Sequence, residues 1–264
     1  MKFILLSLFF FTNILFSLEP TIKGLENKKP ERLLYIGNSY LYYNDSLHNH
    51  VRRMLEELYS KEIDTTNYKS VTISGSRLPD HNIDYSINNK NIGADEPFEL
   101  VILQGGSGEA DTPNERAIFT SKVESMVKKI HDAGAEAALY MIHAYVEPHE
   151  KTNPQMIVNI KDMYINAANV NKVLVMPVGI AFENAYMKKP SFNLHKDYDG
   201  THPNLYGTYL ASCIVFSSIT HKSPLLIKYD YFGKIKNEDK LFLQNIAHET
   251  VEDFYGIDLY AQND

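Results

Sequence analysis

Short apolar runs alternate with longer segments of helical periodicity along most of this chain. The runs are four to six residues long and are bounded by glycine or polar residues, which is typical of strands buried in a parallel sheet. They lie at residues 33–36, 70–73, 98–103, 137–142 and 172–176. The sequence therefore predicts five buried β-strands.

Between these runs, apolar residues recur every three or four positions, as expected of helices that pack one face on a core. The predicted helices cover residues 47–58, 118–130, 153–168, 203–220 and 241–251. Pro203 suits the first position of its helix, where no N–H is needed. Strands that alternate with helices predict an α/β fold of three layers, α/β/α, around a flavodoxin-like five-stranded parallel sheet.

The first 18 residues have the pattern of a secretory signal peptide. Lys2 supplies a positive start, and an almost wholly apolar run from Phe3 to Ser17 follows it. This run is shorter than the ~20 residues that span a bilayer. We therefore predict a signal peptide at 1–18, a single domain at 19–264, and export to the periplasm or the cell exterior with no stable membrane span. An uncleaved anchoring segment is the alternative.

The composition narrows the choice of partners. Removal of residues 1–18 would leave 25 basic and 33 acidic side chains, a net charge of −8. Proteins that bind nucleic acid usually present a basic face, so nucleic acid is not an expected partner. The single cysteine, Cys213, falls in a predicted helix and allows no intramolecular disulfide, so the core itself must stabilise the domain.

Residues with reactive or hydrogen-bonding side chains follow the first three predicted strands. Gly-Asn-Ser at 37–39 follows the first strand, Ser-Gly-Ser at 74–76 follows the second, and a glycine-rich segment at 104–108 follows the third. Open α/β sheets bind their ligands beyond the carboxyl ends of the strands. We therefore expect these three segments to converge on one site.

Ser39 and a late Asp-x-x-His motif provide the minimum set for a nucleophilic serine. A serine hydroxyl becomes a nucleophile when a neighbouring imidazole accepts its proton, and a carboxylate orients that imidazole. We predict Ser39 as the nucleophile, His202 as the base and Asp199 as the orienting carboxylate. Purely structural interpretations remain open, since Ser39 could cap a helix and Asp199 and His202 could belong to a surface turn.

In this order, the motifs resemble those of the SGNH (GDSL-like) hydrolase superfamily, over a stretch from Leu33 to Phe216. The family's first block, usually Gly-Asp-Ser, reads Gly-Asn-Ser at 37–39, and its last block, Asp-x-x-His, stands at 199–202. The third block, commonly Gly-x-Asn-Asp, is replaced by Leu-Gln-x-x-Ser at 103–107. The chain therefore resembles a divergent branch of the superfamily, with residues 19–264 as an SGNH-type hydrolase domain.

The resemblance implies an oxyanion hole and the residues that would form it. The backbone N–H groups of Ser39 and Gly75 would donate to the oxyanion, as would the side-chain amide of Gln104. Gln104 carries the amide of the family's asparagine on a stem that is one methylene longer. We therefore expect Gln104 to replace that asparagine.

Four residues close to the predicted site are candidates for substrate binding. Asn38 and Tyr40 flank the nucleophile, His81 follows the segment that contains Gly75, and His143 ends the fourth predicted strand. Packing is the alternative role for Tyr40, and a surface loop is the alternative position for His81.

The resemblance implies an exported serine esterase that works through an acyl-enzyme. We expect it to hydrolyse short-chain acyl esters of a small molecule, a carbohydrate or a cell-envelope glycan. An O-acyltransferase with the same site and a non-catalytic glycan-binding or envelope protein on this scaffold are the alternatives. The sequence contains no His-Glu-x-x-His, Cys-x-x-Cys, phosphate-loop or dinucleotide-binding motif, so we expect no metal and no cofactor.

Overall fold

Five parallel strands form the sheet at the centre of the fold. In the computed structural model, which describes residues 18–259, the strands are β1 (Leu33–Gly37), β2 (Tyr68–Thr72), β3 (Leu100–Leu103), β4 (Glu136–Tyr140) and β5 (Leu174–Met176). Their order is β2-β1-β3-β4-β5, which confirms the predicted flavodoxin-like sheet. The chain changes its direction across the sheet between β1 and β3, and ligands bind at such switch points in α/β proteins.

The burial of the strands explains the apolar runs in the sequence. β1, β3 and β5 are buried along their whole length, whereas β2 is buried only at Tyr68. A polar side chain in a strand that is covered on both faces would lack water. Of the two edge strands, β2 and β5, only the partly exposed β2 carries Lys69, Ser70 and Thr72.

Eight α-helices within residues 18–259 connect and cover the strands. They are α1 (Ser39–Tyr42), α2 (Leu47–Tyr59), α3 (Ile83–Ser86), α4 (Pro113–Asp132), α5 (Met156–Asn171), α6 (Val178–Lys188), α7 (Leu205–Thr220) and α8 (Asn237–Tyr255). α2 packs on α7, which α8 covers, and α4 packs on α5. Right-handed crossovers that run to opposite edges of a sheet place their helices on opposite faces. The predicted three-layer α/β/α architecture is therefore confirmed.

The structure adds three helices that the sequence analysis did not predict, the four-residue α1 and α3 and the longer α6. β5 ends at Met176 and α6 begins at Val178, with only Pro177 between them and no side chain that caps the helix. Hydrophobic periodicity does not separate an apolar strand from an apolar helix joined in this way. At α7 the predicted start is also too early, because Asn204 caps the helix by accepting the N–H of Gly207.

The segment before β1 runs across the amino ends of the strands, where two glutamates hold it. Glu136, the first residue of β4, accepts the N–H groups of Glu26 and Asn27, both at 2.9 Å. Glu99 accepts the N–H of Glu31 at 2.6 Å. We call residues 26–31, together with Glu99 and Glu136, the amino-end edge of the molecule.

Within residues 18–259, no helix is long and apolar enough to cross a membrane. The predicted signal peptide, apart from its last residue, lies outside the described residues, so it stays a prediction. Cys213 is a free thiol buried in α7.

Candidate active site

The turn after β1 presents Ser39 at the carboxyl ends of the strands. We call this end of the sheet, with the loops that follow the strands, the carboxyl-end edge. Gly37 closes β1, Asn38 caps α1 by accepting the N–H of Tyr40 at 3.1 Å, and Ser39 begins that helix. Position 37 requires glycine, because a β-carbon there would lie 2.3 Å from Oε1 of Gln104. The turn therefore packs closely on the end of β3.

Ser39, His202 and Asp199 form a continuous chain of hydrogen bonds. Ser39 Oγ lies 2.8 Å from His202 Nε2, and His202 Nδ1 lies 2.8 Å from Asp199 Oδ2. An ionised carboxylate only accepts hydrogen bonds, so the proton is assigned to Nδ1, and Nε2 is left to accept from the serine hydroxyl. This is the tautomer that a serine nucleophile requires.

Backbone N–H groups hold the Asp199 carboxylate in place. Asp199 Oδ1 accepts from the N–H of Thr201 at 2.9 Å and from that of His202 at 3.0 Å. Burial opposes ionisation of this carboxyl, but the two N–H groups and the imidazole outweigh it and hold the pKa of Asp199 below its usual value. The carboxylate can therefore stabilise a positive charge on His202.

The loop after β2 lies against the β1 turn and carries Gly75. Ile73 N donates to Gly37 O at 3.1 Å, and Asn38 Nδ2 donates to Ser76 O at 3.0 Å. Between these two contacts, Gly75 has a φ of +67° and open space where a β-carbon would lie. Glycine adopts this left-handed conformation at no steric cost. The loop can therefore leave the Gly75 backbone uncovered.

Gln104, the predicted side-chain donor of the oxyanion hole, is buried against the β1 turn. Its side chain is 1 % exposed. Oε1 accepts the N–H of Asn38 at 2.8 Å, and Nε2 donates to the carbonyl of Gly105. Backbone groups thus bond to Oε1 and to one of the two Nε2–H groups. The longer stem lets Gln104 reach back to the β1 turn and position Asn38, and its donation to an oxyanion stays a prediction.

The four residues predicted to bind substrate are all buried. Asn38, Tyr40, His81 and His143 are between 0 and 5 % exposed. Each contacts protein atoms with its polar groups; the His81 ring, for example, lies 2.9 Å from the Ser76 hydroxyl. All four lie close to the candidate site, and substrate binding by them stays a prediction.

Thr201 is a residue of the site that the sequence analysis missed. Its hydroxyl lies 2.6 Å from the Tyr40 hydroxyl, and its carbonyl accepts from His143 Nε2 at 2.7 Å. Thr201 stands directly before His202 inside the Asp-x-x-His motif. That position is the signal that could have identified it.

Tyrosine rings line the exposed side of His202. The Tyr43 ring lies 4.5 Å from the His202 ring and stacks on Tyr42 at 5.5 Å. Tyr198 is 71 % exposed, and its hydrogen bond with Tyr43 is the main reason that the pKa of Tyr43 is raised to about 12. We call Tyr42, Tyr43 and Tyr198 the tyrosine rim.

A second carboxyl group, that of Glu109, lies buried within the loop after β3. Glu109 is 2 % exposed and accepts the N–H of Gly106 at 2.5 Å. Burial raises the pKa of Glu109 to about 7, although that N–H and the charge of Arg77 favour the ionised form. Glu109 therefore titrates near neutral pH.

In the part of the chain that the structure describes, no group of three or more His, Cys, Asp or Glu side chains is arranged to hold a metal ion.

Solved structures of other proteins share this fold. A DUF4886 family protein from Bacteroides uniformis is 20% identical, with a TM-score of 0.64, over 83% of this chain and 94% of its own. A candidate SGNH hydrolase from Slackia heliotrinireducens is 23% identical, with a TM-score of 0.54, over 71% of this chain and 98% of its own. An acetyl xylan esterase from Geobacillus stearothermophilus is 16% identical, with a TM-score of 0.52, over 75% of this chain and 97% of its own.

No protein-family model and no curated protein matches the sequence. At identities below 25%, the likeness to solved structures establishes the fold and nothing finer.

Proposed function

We propose that this chain, which has the SGNH hydrolase fold that its motifs predicted, is a serine esterase with Ser39 as nucleophile, His202 as general base and Asp199 as orienting carboxylate. The observation that carries the proposal is the pair of 2.8 Å hydrogen bonds that join the three side chains. A serine so close to an imidazole can pass its proton to Nε2 while it attacks a carbonyl.

Ester cleavage would proceed in two acyl-transfer steps. Ser39 Oγ bonds to the ester carbonyl carbon as its proton passes to His202. The bond to the alcohol oxygen then breaks, and the alcohol leaves with that proton. In the second step, water gives a proton to His202 and attacks the acyl-enzyme, which releases the acid and returns the proton to Ser39. Asp199 stabilises the imidazolium in both steps.

The proposed oxyanion donors are the backbone N–H groups of Ser39 and Gly75. The exposed Gly75 loop beside the β1 turn supports this assignment. The Gln104 amide would be a third donor through one Nε2–H, because Oε1 accepts from Asn38 and the other Nε2–H bonds to the Gly105 carbonyl. Loss of one such donor typically removes ~2.7–4 kcal/mol of transition-state stabilisation.

An acylated carbohydrate is the proposed substrate class. Exposed tyrosine rings can pack on the apolar face of a sugar while their hydroxyl groups bond to its alcohols, and the tyrosine rim offers such rings beside His202. Two of the proteins that share the fold are acetyl xylan esterases. We therefore propose short acyl groups, acetyl first, on a saccharide or a cell-envelope glycan.

Export of the protein belongs to the same proposal. The apolar pattern of residues 1–18 supports a signal peptide. The expected result is an exported, soluble protein whose mass corresponds to a start near residue 19. Mass spectrometry of the protein from culture medium, periplasm and membrane fractions measures this directly. Full-length protein confined to the membrane fraction would favour the uncleaved anchor instead.

Hydrolysis of p-nitrophenyl acetate, butyrate and octanoate and of an acetylated xylo-oligosaccharide tests the esterase proposal. We expect acetate to be the best of the three chromogenic esters, and Ser39→Ala to lower kcat/KM about 10³-fold or more. Ser125→Ala is the matched control, because Ser125 is exposed on α4. Both variants should keep the wild-type circular dichroism spectrum and melting temperature.

The possible outcomes separate the alternatives. Turnover that persists in Ser39→Ala contradicts the proposed nucleophile. Absence of turnover on every ester contradicts the esterase and favours a scaffold that only binds. Acyl transfer to an added saccharide in preference to water would identify a transferase that uses the same site.

A further inference from the structure

A second contact joins the two segments that carry Ser39 and His202. Tyr40 follows Ser39 directly, and Thr201 precedes His202 directly. Their hydroxyl groups lie 2.6 Å apart, next to the 2.8 Å contact between Ser39 and His202. The two segments are therefore joined at two adjacent points, only one of which takes part in the proposed chemistry.

His143 forms a hydrogen bond with the backbone carbonyl of the same threonine. Its Nε2 lies 2.7 Å from the Thr201 carbonyl oxygen, which can only accept, so Nε2 carries the proton. The imidazole packs between the Tyr40 ring, 4.5 Å away, and the Phe182 ring, which is 4.4 Å away and nearly parallel at 7°. The packing restricts the movement of this fully buried histidine.

The surroundings of His143 keep it neutral. Burial and the neighbouring His195 lower the pKa of His143 well below its usual value. The other titratable groups that face it are Tyr40, Asp199 and His202. A neutral imidazole can donate to Thr201 without placing a second positive charge beside His202.

All three polar atoms of Thr201 are occupied. Its N–H donates to Asp199 at 2.9 Å, its hydroxyl contacts Tyr40, and its carbonyl accepts from His143. A residue fixed at three points leaves the adjacent His202 little freedom to move away from Ser39. A misplacement of 1 Å in a catalytic group can cost about 10²-fold in rate.

We infer that Tyr40 and His143 are positioning residues that hold Thr201, and through it His202, at hydrogen-bond distance from Ser39. This inference rests on the proposed function for its catalytic consequence. It assigns these two side chains a role in the geometry of the base, in place of contact with substrate.

The test is a double-mutant cycle on the bond between the two hydroxyl groups. Tyr40→Phe and Thr201→Val each remove one hydroxyl and keep the packing volume. We expect each to lower kcat about tenfold and to leave KM within about twofold of wild type. The double variant should be no slower than either single variant, because both changes remove the same contact. Thr201→Ser keeps the hydroxyl and should restore most of the rate.

Tyr255→Phe is the matched control for lost stability. Its buried hydroxyl contacts Val175 O at 2.6 Å and Ser218 Oγ at 3.0 Å, on the side of the sheet covered by α8. We expect Tyr255→Phe to lower the melting temperature at least as much as Tyr40→Phe while it keeps the wild-type kcat. A kcat that falls in both variants in proportion to melting temperature would overturn the positioning role.

Proton NMR of the His202 Nδ1–H provides a readout that does not depend on turnover. We expect a resolved signal in wild type and Tyr255→Phe, and a broadened or missing signal in Tyr40→Phe and Thr201→Val. An unchanged signal in Tyr40→Phe, or additive losses of kcat in the double variant, would overturn the inference. If wild type hydrolyses no ester, the proposed function fails, while the NMR comparison still decides whether Tyr40 and Thr201 position His202.

Discussion

At the amino-end edge, the partly exposed carboxylates of Glu99 and Glu136 accept hydrogen bonds from backbone N–H groups. At the carboxyl-end edge, by contrast, neutral and buried side chains hold the loops together. Asn38 and Gln104 use amides there, and His143 uses a neutral imidazole. The difference follows from what each edge must tolerate. A fixed charge near Ser39 would alter the energy of an imidazolium on His202, whereas water screens the charges at the far edge.

Asp199 and Glu109, at the carboxyl-end edge, depart from this pattern, each for a different reason. Asp199 is 21 % exposed at its side chain and pairs with His202, so its charge belongs to the proposed chemistry. Glu109 is buried, and burial raises its pKa to about 7. Its proton is therefore largely retained in weakly acidic solution. Substitutions at the carboxyl-end edge should therefore lower activity, and those at the amino-end edge should lower stability. Glu109 is the exception, because its substitution should change stability although it lies at the carboxyl-end edge.

Asp199→Asn should have the largest effect on activity. The amide can still accept the N–H groups of Thr201 and His202, but it no longer favours the tautomer with the proton on Nδ1. We expect kcat to fall about 10³–10⁴-fold with little change in melting temperature. Steady-state kinetics on p-nitrophenyl acetate measure this. A loss of less than about tenfold would show that the carboxylate does not orient the base.

Asn38→Asp should follow, with a loss of about 10–100-fold in kcat at pH 8. The carboxylate would still cap α1, but it cannot donate to the Ser76 carbonyl and adds a charge beside the nucleophile. At lower pH the introduced carboxyl becomes protonated and can donate again. We therefore expect the ratio of variant to wild-type activity to rise as the pH falls.

Asn245→Asp is the matched control for that change. Asn245 also donates to a backbone carbonyl, that of Leu241 at 2.7 Å, but it lies exposed on α8. Its substitution should leave the activity ratio near one at every pH. A ratio for Asn38→Asp that does not vary with pH would contradict the role of the lost donor.

Glu109→Gln tests the buried carboxyl through the pH dependence of stability. The pKa of Glu109 is raised from 4.5 to about 7 in the folded protein, so the folded state binds the proton more tightly than the unfolded state. The wild-type free energy of unfolding therefore loses a contribution as the pH rises from 4.5 to 7. The variant cannot ionise, so its stability relative to wild type should be higher at pH 8 than at pH 4.5, by roughly 1–3 kcal/mol.

Urea denaturation at the two pH values measures this difference. Glu124→Gln, at an exposed position of α4, serves as the matched control and should show the same relative stability at both. If the stability of Glu109→Gln relative to wild type were the same at both pH values, Glu109 would titrate as an ordinary surface carboxyl.

Glu136→Ala should have the smallest effect, and on stability alone. It removes the acceptor for the N–H groups of Glu26 and Asn27 at the amino-end edge. We expect a loss of about 1 kcal/mol in the free energy of unfolding, with kcat and KM unchanged. Glu124→Ala controls for removal of an exposed charge. A loss of activity in Glu136→Ala would contradict the separation between the two edges.

Most of the fold could be predicted from the sequence because buried parallel strands must be apolar throughout. The run at 33–36 predicted β1, and the turn after it could be placed at the binding edge. α6 could not be predicted, because no polar residue separates it from β5. Its position depends on contacts with α7 and α8, which lie later in the chain.

The candidate site was predictable in its reactive groups and less so in its supporting groups. Ser39, Asp199 and His202 stand in recognisable motifs, and the structure brings the three together. The direction of the Gln104 amide depends on an N–H that lies 66 residues earlier in the chain. Such a contact arises only when two strands become neighbours, so the sequence motif alone did not predict it.

The close approach of Gln104 to Gly37 also restricts how this protein can vary. Any side chain at position 37 would collide with the glutamine carbonyl, and a shorter amide at position 104 would no longer reach the N–H of Asn38. Either substitution would therefore weaken the packing between the β1 turn and the end of β3. Because the two side chains share one contact, the effects of substituting both should be less than additive.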